Sequence, residues 1–165
     1  MPDRPTATAP APPRFEFAPE DIRPDLPTRE NRIKWVMLID PALGPGLAAN
    51  TAGCLAAAVG KELPAIIGPG AEDASGADHP GLPWTGCSVL AADPATLRAV
   101  REKARTKAGV HVVDMPRSAQ ASSVYTHYVE TLADIGAEEI EYQGISLIGP
   151  RNKIAKLTGR LPLLT

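Results

Sequence analysis

The sequence predicts an α/β domain, a three-layer α/β/α sandwich around a mixed, mostly parallel sheet of about four strands. Short apolar runs alternate along the chain with longer segments of helical pattern, as in sheets that helices cover on both faces. The 165 residues suffice for one domain with a core of useful size. The composition, 44% hydrophobic and 22% charged, is ordinary for a globular protein.

The first thirty residues differ in composition from the rest of the chain. They contain eight of the 18 prolines, which remove backbone donors and disfavour helices and central strands. We therefore predict a disordered tail over residues 1–14 and an extended lead-in to residue 30. Phe15 and Phe17 are expected to anchor the lead-in on a folded domain that spans residues 31–165.

The first unit of the domain is a strand, a tight turn and a helix. Residues 34–40 form an apolar run with charged ends, which indicates a buried strand. Glycines and prolines at 43–46 predict a turn. Residues 47–59 are rich in Ala and Leu and predict a helix that ends at Gly60. The near absence of charge predicts that this helix is buried on most sides.

The remaining elements follow the same alternation. Residues 61–86 are irregular, 87–91 form a second strand, and Asp93 caps a helix that begins at Pro94 and extends to 108. Strands are predicted at 110–114 and 140–148, and helices at 118–135 and 151–157. The apolar end, residues 161–165, is expected to pack on the domain.

Several functional classes receive no support. A net charge of -2 gives no overall attraction to nucleic acid or to an anionic membrane. Cys54 and Cys87 are interpreted as reduced thiols of a cytoplasmic protein, and the three histidines lack metal-ligand spacing. No secretory signal or membrane-length apolar run is visible. We therefore expect a cytoplasmic protein with no metal and no cofactor.

Two turns at helix starts are candidate anion sites. Gly44 and Gly46 precede the first helix, and Arg151, Asn152 and Lys153 follow the last strand. Alternatively, the glycines only permit a tight turn and the cations form a solvated face. Asn50, in an apolar helix, needs a hydrogen-bond partner or faces a pocket.

Asp114 and Ser118 form a candidate hydrolytic pair. Asp114 ends a predicted buried strand, where sites of α/β sheets collect, and its carboxylate could orient a water or a hydroxyl. Alternatively, Asp114 caps the following loop or pairs with Arg117. The five cations of the helix at 94–108, among them Arg101, are interpreted as a solvated face.

Three segments together resemble the peptidyl-tRNA hydrolase type 2 superfamily over residues 34–164. They are the strand–turn–helix unit around Gly44-Pro45-Gly46-Leu47, the strand ending in Asp114 with Arg117 and Ser118 after it, and the ending Leu147-Ile148-Gly149-Pro150 with Thr158-Gly159-Arg160-Leu161. The resemblance implies the sandwich fold and a homodimer. Within the superfamily, Lys34-Trp35, residues 46–50 and residues 156–163 are most similar to a bacterial branch known only as domain of unknown function 2000.

The chain departs from the hydrolases in the turn. The resemblance places the two turn lysines of those enzymes at Pro45 and Leu47, and their aspartate at Asp114. Leucine cannot donate a hydrogen bond to a carbonyl or hold a phosphate. We therefore expect a module that binds a small ligand or partner in a pocket lined by Gly44, Gly46, Asn50, Asp114 and residues 151–153.

Two alternatives remain open. One is a hydrolase of a peptidyl- or aminoacyl-tRNA-type ester, with Asp114 and Ser118 in place of the usual catalytic set. The other is a nucleotide-binding protein, which rests only on the glycine turns.

Overall fold

The computed structural model describes residues 15–165. The predicted disordered tail, residues 1–14, lies outside the described part. Four main strands form one sheet: β1 (Ile33–Ile39), β4 (Cys87–Ala91), β5 (His111–Pro116) and β6 (Tyr142–Pro150). Two further strands, β2 (Ala71–Glu72) and β3 (Asp78–His79), form a small hairpin within the stretch predicted to be irregular.

The order of the main sheet is β4-β1-β6-β5. β1 pairs with β4 in parallel, whereas β6 lies between β1 and β5 and is antiparallel to both. The sheet is therefore mixed and four-stranded, as predicted, and three of its four strands run in the same direction. Two of its three pairings are nevertheless antiparallel, because the reversed strand β6 lies between β1 and β5. Periodicity gives the positions of strands along the chain and not their directions, which is why the pairing was missed.

Helices cover both faces of the sheet. α1 (Pro45–Glu62) packs on one face and α2 (Pro94–Arg105) with α5 (Arg151–Thr158) on the other. Successive side chains of β1 alternate between the two cores, so Trp35 faces α1 and Val36 faces α2. On the α1 side, the indole N–H of Trp35 donates to Oγ of buried Ser146 at 2.9 Å, which satisfies both polar groups.

The helix predicted at 47–59 is longer and more exposed than expected. α1 continues through Gly60 to Glu62, before Leu63 and Pro64. Within α1 only Thr51, Leu55 and Val59 are fully buried. The lack of charge in this helix therefore does not reflect burial on most sides, because a small uncharged residue tolerates either environment.

The helix predicted at 118–135 is in fact two helices. α3 (Arg117–Ala121) and α4 (Tyr125–Asp134) are separated by residues 122–124, and the backbones of Ser122 and Val124 are extended. The Ser122 hydroxyl donates to the Val124 carbonyl at 2.8 Å. Such a local bond competes with helical pairing, and this explains the break.

The two edges of the sheet differ. The C-terminal segment covers β4: Ala91 N–H donates to the Pro162 carbonyl at 2.9 Å, and Leu164 N–H to the Val89 carbonyl at 3.1 Å. The predicted packing of residues 161–165 is thus confirmed, although Leu163 itself stays 64% exposed. β5 is the strand at the other edge.

The lead-in is attached to the α1 side of the domain. Phe15 is buried in the core beneath α1, and Phe17 makes edge contacts with Phe15 and Trp84 at 5.0 and 5.7 Å between ring centroids. The predicted anchoring by these two phenylalanines is confirmed. Across residues 15–165, no helix has both the length and the apolar character needed to cross a membrane.

A candidate ligand-binding cleft beside the edge strand

A cleft of about 640 Å³ lies between α1, β5 and the α3–α4 pair, and we call it the β5 cleft. α1 contributes Asn50, Cys54 and Ala58, with Leu55 below them. β5 contributes residues 113–116, and α3, α4 and the link between them contribute Ala119, Gln120, Ser122, Ser123, Tyr125 and Tyr128. The volume is typical of pockets that hold small ligands.

The polar wall of the β5 cleft is held by a side-chain bridge. Gln120 Nε2 donates to Asn50 Oδ1 at 3.2 Å, which ties α3 to α1. Asn50 was predicted either to have a hydrogen-bond partner or to face a pocket, and in the structure it does both. Gln120 Oε1 is buried and accepts no hydrogen bond from the described residues. A buried carbonyl oxygen without a donor favours a ligand that supplies one.

Two tyrosines stand at the α4 side of the cleft. The rings of Tyr125 and Tyr128 meet edge to face, with centroids 5.6 Å apart. Tyr125 is 77% exposed. Burial, together with the nearby Asp114 carboxylate, raises the pKa of the Tyr128 phenol, which therefore stays protonated and can donate a hydrogen bond at neutral pH.

The carboxylate of Asp114 is held on the α2 side of β5. Asp114 pairs with Ile145, which faces the α2 core, and Arg101 Nε donates to Asp114 Oδ2 at 2.6 Å. The guanidinium of Arg101 also lies 4.6 Å from the Tyr142 ring centroid. Desolvation opposes the charge of Arg101, but the attraction and hydrogen bond to Asp114, together with Tyr142 and Glu102, outweigh it and raise the pKa of the guanidinium.

Arg101 was therefore assigned wrongly to a solvated face, since its side chain is only 14% exposed. The alternative partner weighed for Asp114, Arg117, instead lies 3.3 Å from Glu141. The sequence alone does not show that α2 packs across β5, and without that packing the contact between Arg101 and Asp114 cannot be predicted.

Ser118 was predicted to be the hydrolytic partner of Asp114. It lies on α3, outside the residues that line the β5 cleft. Its Oγ is buried, and it has no hydrogen-bond partner within residues 15–165. The structure shows no hydrogen bond between Ser118 and Asp114, so the hydrolytic pair stays a prediction.

Gly44 and Gly46 lie at the start of α1, with open space around both. Neither lines the β5 cleft. A smaller apolar cleft of about 460 Å³ lies nearby, between Pro41, Leu43 and Pro45 on one side and the C-terminal Leu164 on the other.

The cations after β6 lie at the other end of the sheet. β1 and β6 are antiparallel, and Pro150 pairs with Ile33, whereas Gly44 follows the opposite end of β1. The predicted single pocket of Gly44, Gly46, Asn50, Asp114 and residues 151–153 therefore does not form. Of these residues, the β5 cleft brings together only Asn50 and Asp114.

The two cations of the predicted anion site at residues 151–153 donate hydrogen bonds to backbone carbonyls. Arg151 Nε donates to the Asn31 carbonyl at 2.7 Å, and its Nη2 donates to the Thr28 carbonyl. Lys153 Nζ donates to the Ala108 carbonyl at 2.7 Å. Asn152 is exposed. The two cations thus contact the lead-in and the turn between α2 and β5, and they point to different parts of the chain.

The described residues contain no group of three or more His, Cys, Asp or Glu side chains arranged to hold a metal ion. His111 is buried, with Nε2 3.4 Å from a Glu62 carboxylate oxygen, and His79 lies 3.3 Å from Asp73 on the hairpin. Cys54 and Cys87 are free thiols.

Comparison with known proteins places the chain in a family. A solved structure of a protein of unknown function from Agrobacterium tumefaciens strain C58 superposes with a TM-score of 0.74 at 17% identity, covering 80% of this chain and 97% of that one. At such low identity the match shows a shared fold only. No curated protein matches the sequence significantly. The model of the family described as protein of unknown function (DUF2000) matches residues 33–165, and the chain therefore belongs to that family.

Proposed function

We propose that the protein is a binding module without catalytic turnover and that its ligand occupies the β5 cleft. The observation that carries this proposal is the polar wall of the cleft, where Asn50 and Gln120 are fixed against each other and Gln120 Oε1 lacks a donor. An apolar floor with a few placed polar groups is the usual composition of a ligand site.

The charge of the cleft favours a neutral ligand. Asp114 is the one ionisable carboxylate among the described lining residues, and it is neutralised by Arg101 at 2.6 Å. The other polar groups are amides, hydroxyls and a thiol. A ligand that is charged would lose its hydration here without gaining an opposite charge. We therefore expect an uncharged group that can donate to Gln120 and pack against the tyrosines.

Three features support binding over ester hydrolysis. Pro45 and Leu47 stand where the resemblance places lysines, so no cation is available there to stabilise a developing negative charge. The carboxylate of Asp114 is engaged by Arg101 on the α2 side. Ser118 lies outside the cleft lining. We also propose that the chain is related to the peptidyl-tRNA hydrolases, and the three sequence segments that resemble them support this.

Binding can be tested with phenyl fragments that carry an amide, a carboxylate or an amine. We expect benzamide, but neither benzoate nor benzylamine, to shift the NMR side-chain signals of Asn50 and Gln120. Ala58→Trp should fill the cleft and abolish the shifts. Ala99→Trp, at an exposed position of α2 on the other face, is the matched control and should leave them. Binding of all three fragments elsewhere, unaffected by Ala58→Trp, would count against the proposal.

Hydrolysis is tested directly with a peptidyl-tRNA and measurement of released tRNA. We expect no release above background even at high protein concentration. Release that Asp114→Ala abolishes, in a variant whose folding is confirmed by circular dichroism, would replace the binding proposal with the hydrolase alternative.

We also propose that two copies of the chain associate through the outer face of α1. The helix has no charged residue before Lys61, and the face turned from the sheet carries only small or uncharged residues such as Gly46, Gly53 and Ala57. Contiguous apolar surface that is exposed to solvent often marks a protein–protein interface.

A further inference from the structure

Within residues 15–165, no partner pairs with the backbone hydrogen-bonding groups on the outer edge of β5. In an antiparallel pair, alternate residues direct their N–H and C=O groups away from the partner strand. β6 occupies one side of β5, and no other main strand lies on the other side. Beyond the ladder with β6, Val112, Val113, Asp114 and Met115 make no backbone hydrogen bond to any residue in the described range. These groups are a template for another strand.

The β5 cleft runs along this edge. Four consecutive residues of β5, 113–116, all line it. Successive side chains of a strand point to opposite faces, so a pocket on one face alone would be lined by every second residue. The cleft is therefore bounded by the edge of the strand, with Asn50 and Ala58 of α1 along one wall and Ser122 and Tyr128 along the other.

The opposite edge of the sheet shows how this fold closes such an edge. There the extended C-terminal segment pairs with β4 through two backbone hydrogen bonds and a bridge between Leu90 and Leu163. An extended segment thus completes one edge within the chain itself, while the equivalent edge at β5 faces a cleft.

We propose that the β5 cleft binds an extended, uncharged peptide segment of another protein, which adds to β5 as a further strand of the main sheet. This rests on the proposed function and names its ligand class. Backbone groups of the peptide would pair with the free edge of β5, as in other cases of strand addition. Gln120 Oε1 would accept from the peptide, which supplies the missing donor.

The cleft also sets the length and character of the peptide. Residues 113–116 span about 13 Å, the length of about four extended residues. Pairing stops at Pro116, which lacks an N–H and lies at a register shift in the ladder. The walls carry Tyr, Ser, Asn and Gln side chains, a set that is also frequent in antibody binding loops because it combines rigid contact area with adaptable hydrogen bonding.

A phage-displayed library of random heptapeptides between Gly-Ser linkers is the probe. We expect selection on the full chain to enrich uncharged sequences, which are then synthesised and measured by calorimetry. Ala58→Trp should weaken the best peptide by about tenfold or more, and Ala99→Trp should not. Methylation of backbone nitrogens should weaken binding at every second residue of the peptide, because only those N–H groups face β5.

Hydrogen exchange provides an independent readout. The outward amides of Val112–Met115 should exchange rapidly in the free protein and become protected by the peptide. Slow exchange in the free protein would mean that another part of the chain or a second copy already pairs there, and it would overturn the proposal. No enrichment, or equal loss for methylation at every residue, would also overturn it. If the peptide proposal fails but Ala58→Trp still abolishes binding of the fragments, the proposed ligand-binding function stands. If the fragments do not bind either, both the peptide proposal and the proposed function are wrong.

Discussion

At the residue scale, Gly144 lies where β6 passes beneath α1. A Cβ at this position would stand 2.6 Å from Thr51 Cγ2 and 3.1 Å from the Leu38 carbonyl oxygen. The Leu38 carbonyl belongs to the backbone of β1 and cannot rotate away, and the Thr51 side chain of α1 is fully buried, so the added methyl group must push α1 away from the sheet. Close contact between α1 and β6 therefore requires glycine here.

We predict that Gly144→Ala lowers the free energy of unfolding by about 1–3 kcal/mol, as for other insertions of a methyl group into a packed core. Gly136→Ala is the control, because a Cβ there meets nothing within 4 Å. It should leave stability unchanged or raise it slightly by restricting the unfolded chain. Urea denaturation of both variants measures the difference, and equal stability of the two would contradict the close approach.

The two cysteines should differ sharply in reactivity. Cys54 is exposed at the cleft, whereas burial raises the pKa of the Cys87 thiol to about 12. At pH 8 a thiol with that pKa is ionised only to the order of one part in 10⁴, and the thiolate is the reactive form. We predict that iodoacetamide modifies Cys54 quickly and Cys87 only after unfolding, as read by peptide mass spectrometry. Rapid modification of both in the folded protein would contradict the burial of Cys87.

Residue types alone gave only part of the candidate site. Asn50 was identified because an amide in an apolar helix needs a partner, and that partner proved to be Gln120. Gln120 itself could not be identified, because it falls in a segment predicted to be an unbroken helix. The pairing of Arg101 with Asp114 depends on helix placement across the sheet, which periodicity does not encode.

At the element scale, patterns of apolar residues located the strands well. The predicted strands at 34–40 and 87–91 agree with β1 and β4 within one residue. Helix ends were less predictable where the deciding contact is tertiary or involves a side chain. Gly60 did not end α1, and the Ser122 hydroxyl divided a helix that the residue pattern joined.

Arg151 determines how one element attaches to another. Its guanidinium donates to the carbonyls of Thr28 and Asn31 and so joins the start of α5 to the lead-in. We predict that Arg151→Ala lowers the free energy of unfolding by about 2–3 kcal/mol, because the hydrogen bonds from a charged donor are lost and partly buried carbonyls are left without a donor. Limited proteolysis should then cleave between residues 23 and 32 faster than in the wild type.

Arg160→Ala is the matched control for this change, because Arg160 is an exposed arginine for which the structure records no hydrogen bond within the described range. It should leave the proteolysis rate unaltered. The same rate for Arg151→Ala and Arg160→Ala would show that the lead-in is held by Phe15 and its neighbours alone.

At the scale of the whole molecule, the sheet order determines which surfaces are left for partners. β1 and β6 are central, the C-terminal segment covers β4, and the free edge of β5 faces the cleft. α1 borders that cleft on one side and turns its uncharged outer face to solvent. A peptide at β5 and a second copy on α1 would therefore use adjacent surfaces of the same helix.

The proposed association through α1 predicts a dimer with twice the 17.3 kDa mass of the chain. Ala57→Glu should convert it to a monomer, because a carboxylate buried between two copies would face its own symmetry mate without a counter-ion. Ala99→Glu introduces the same charge at an exposed position of α2 and should leave the dimer intact. Light scattering coupled to size-exclusion chromatography distinguishes the states. A wild-type chain that stays monomeric at its highest soluble concentration would contradict the proposed association through α1.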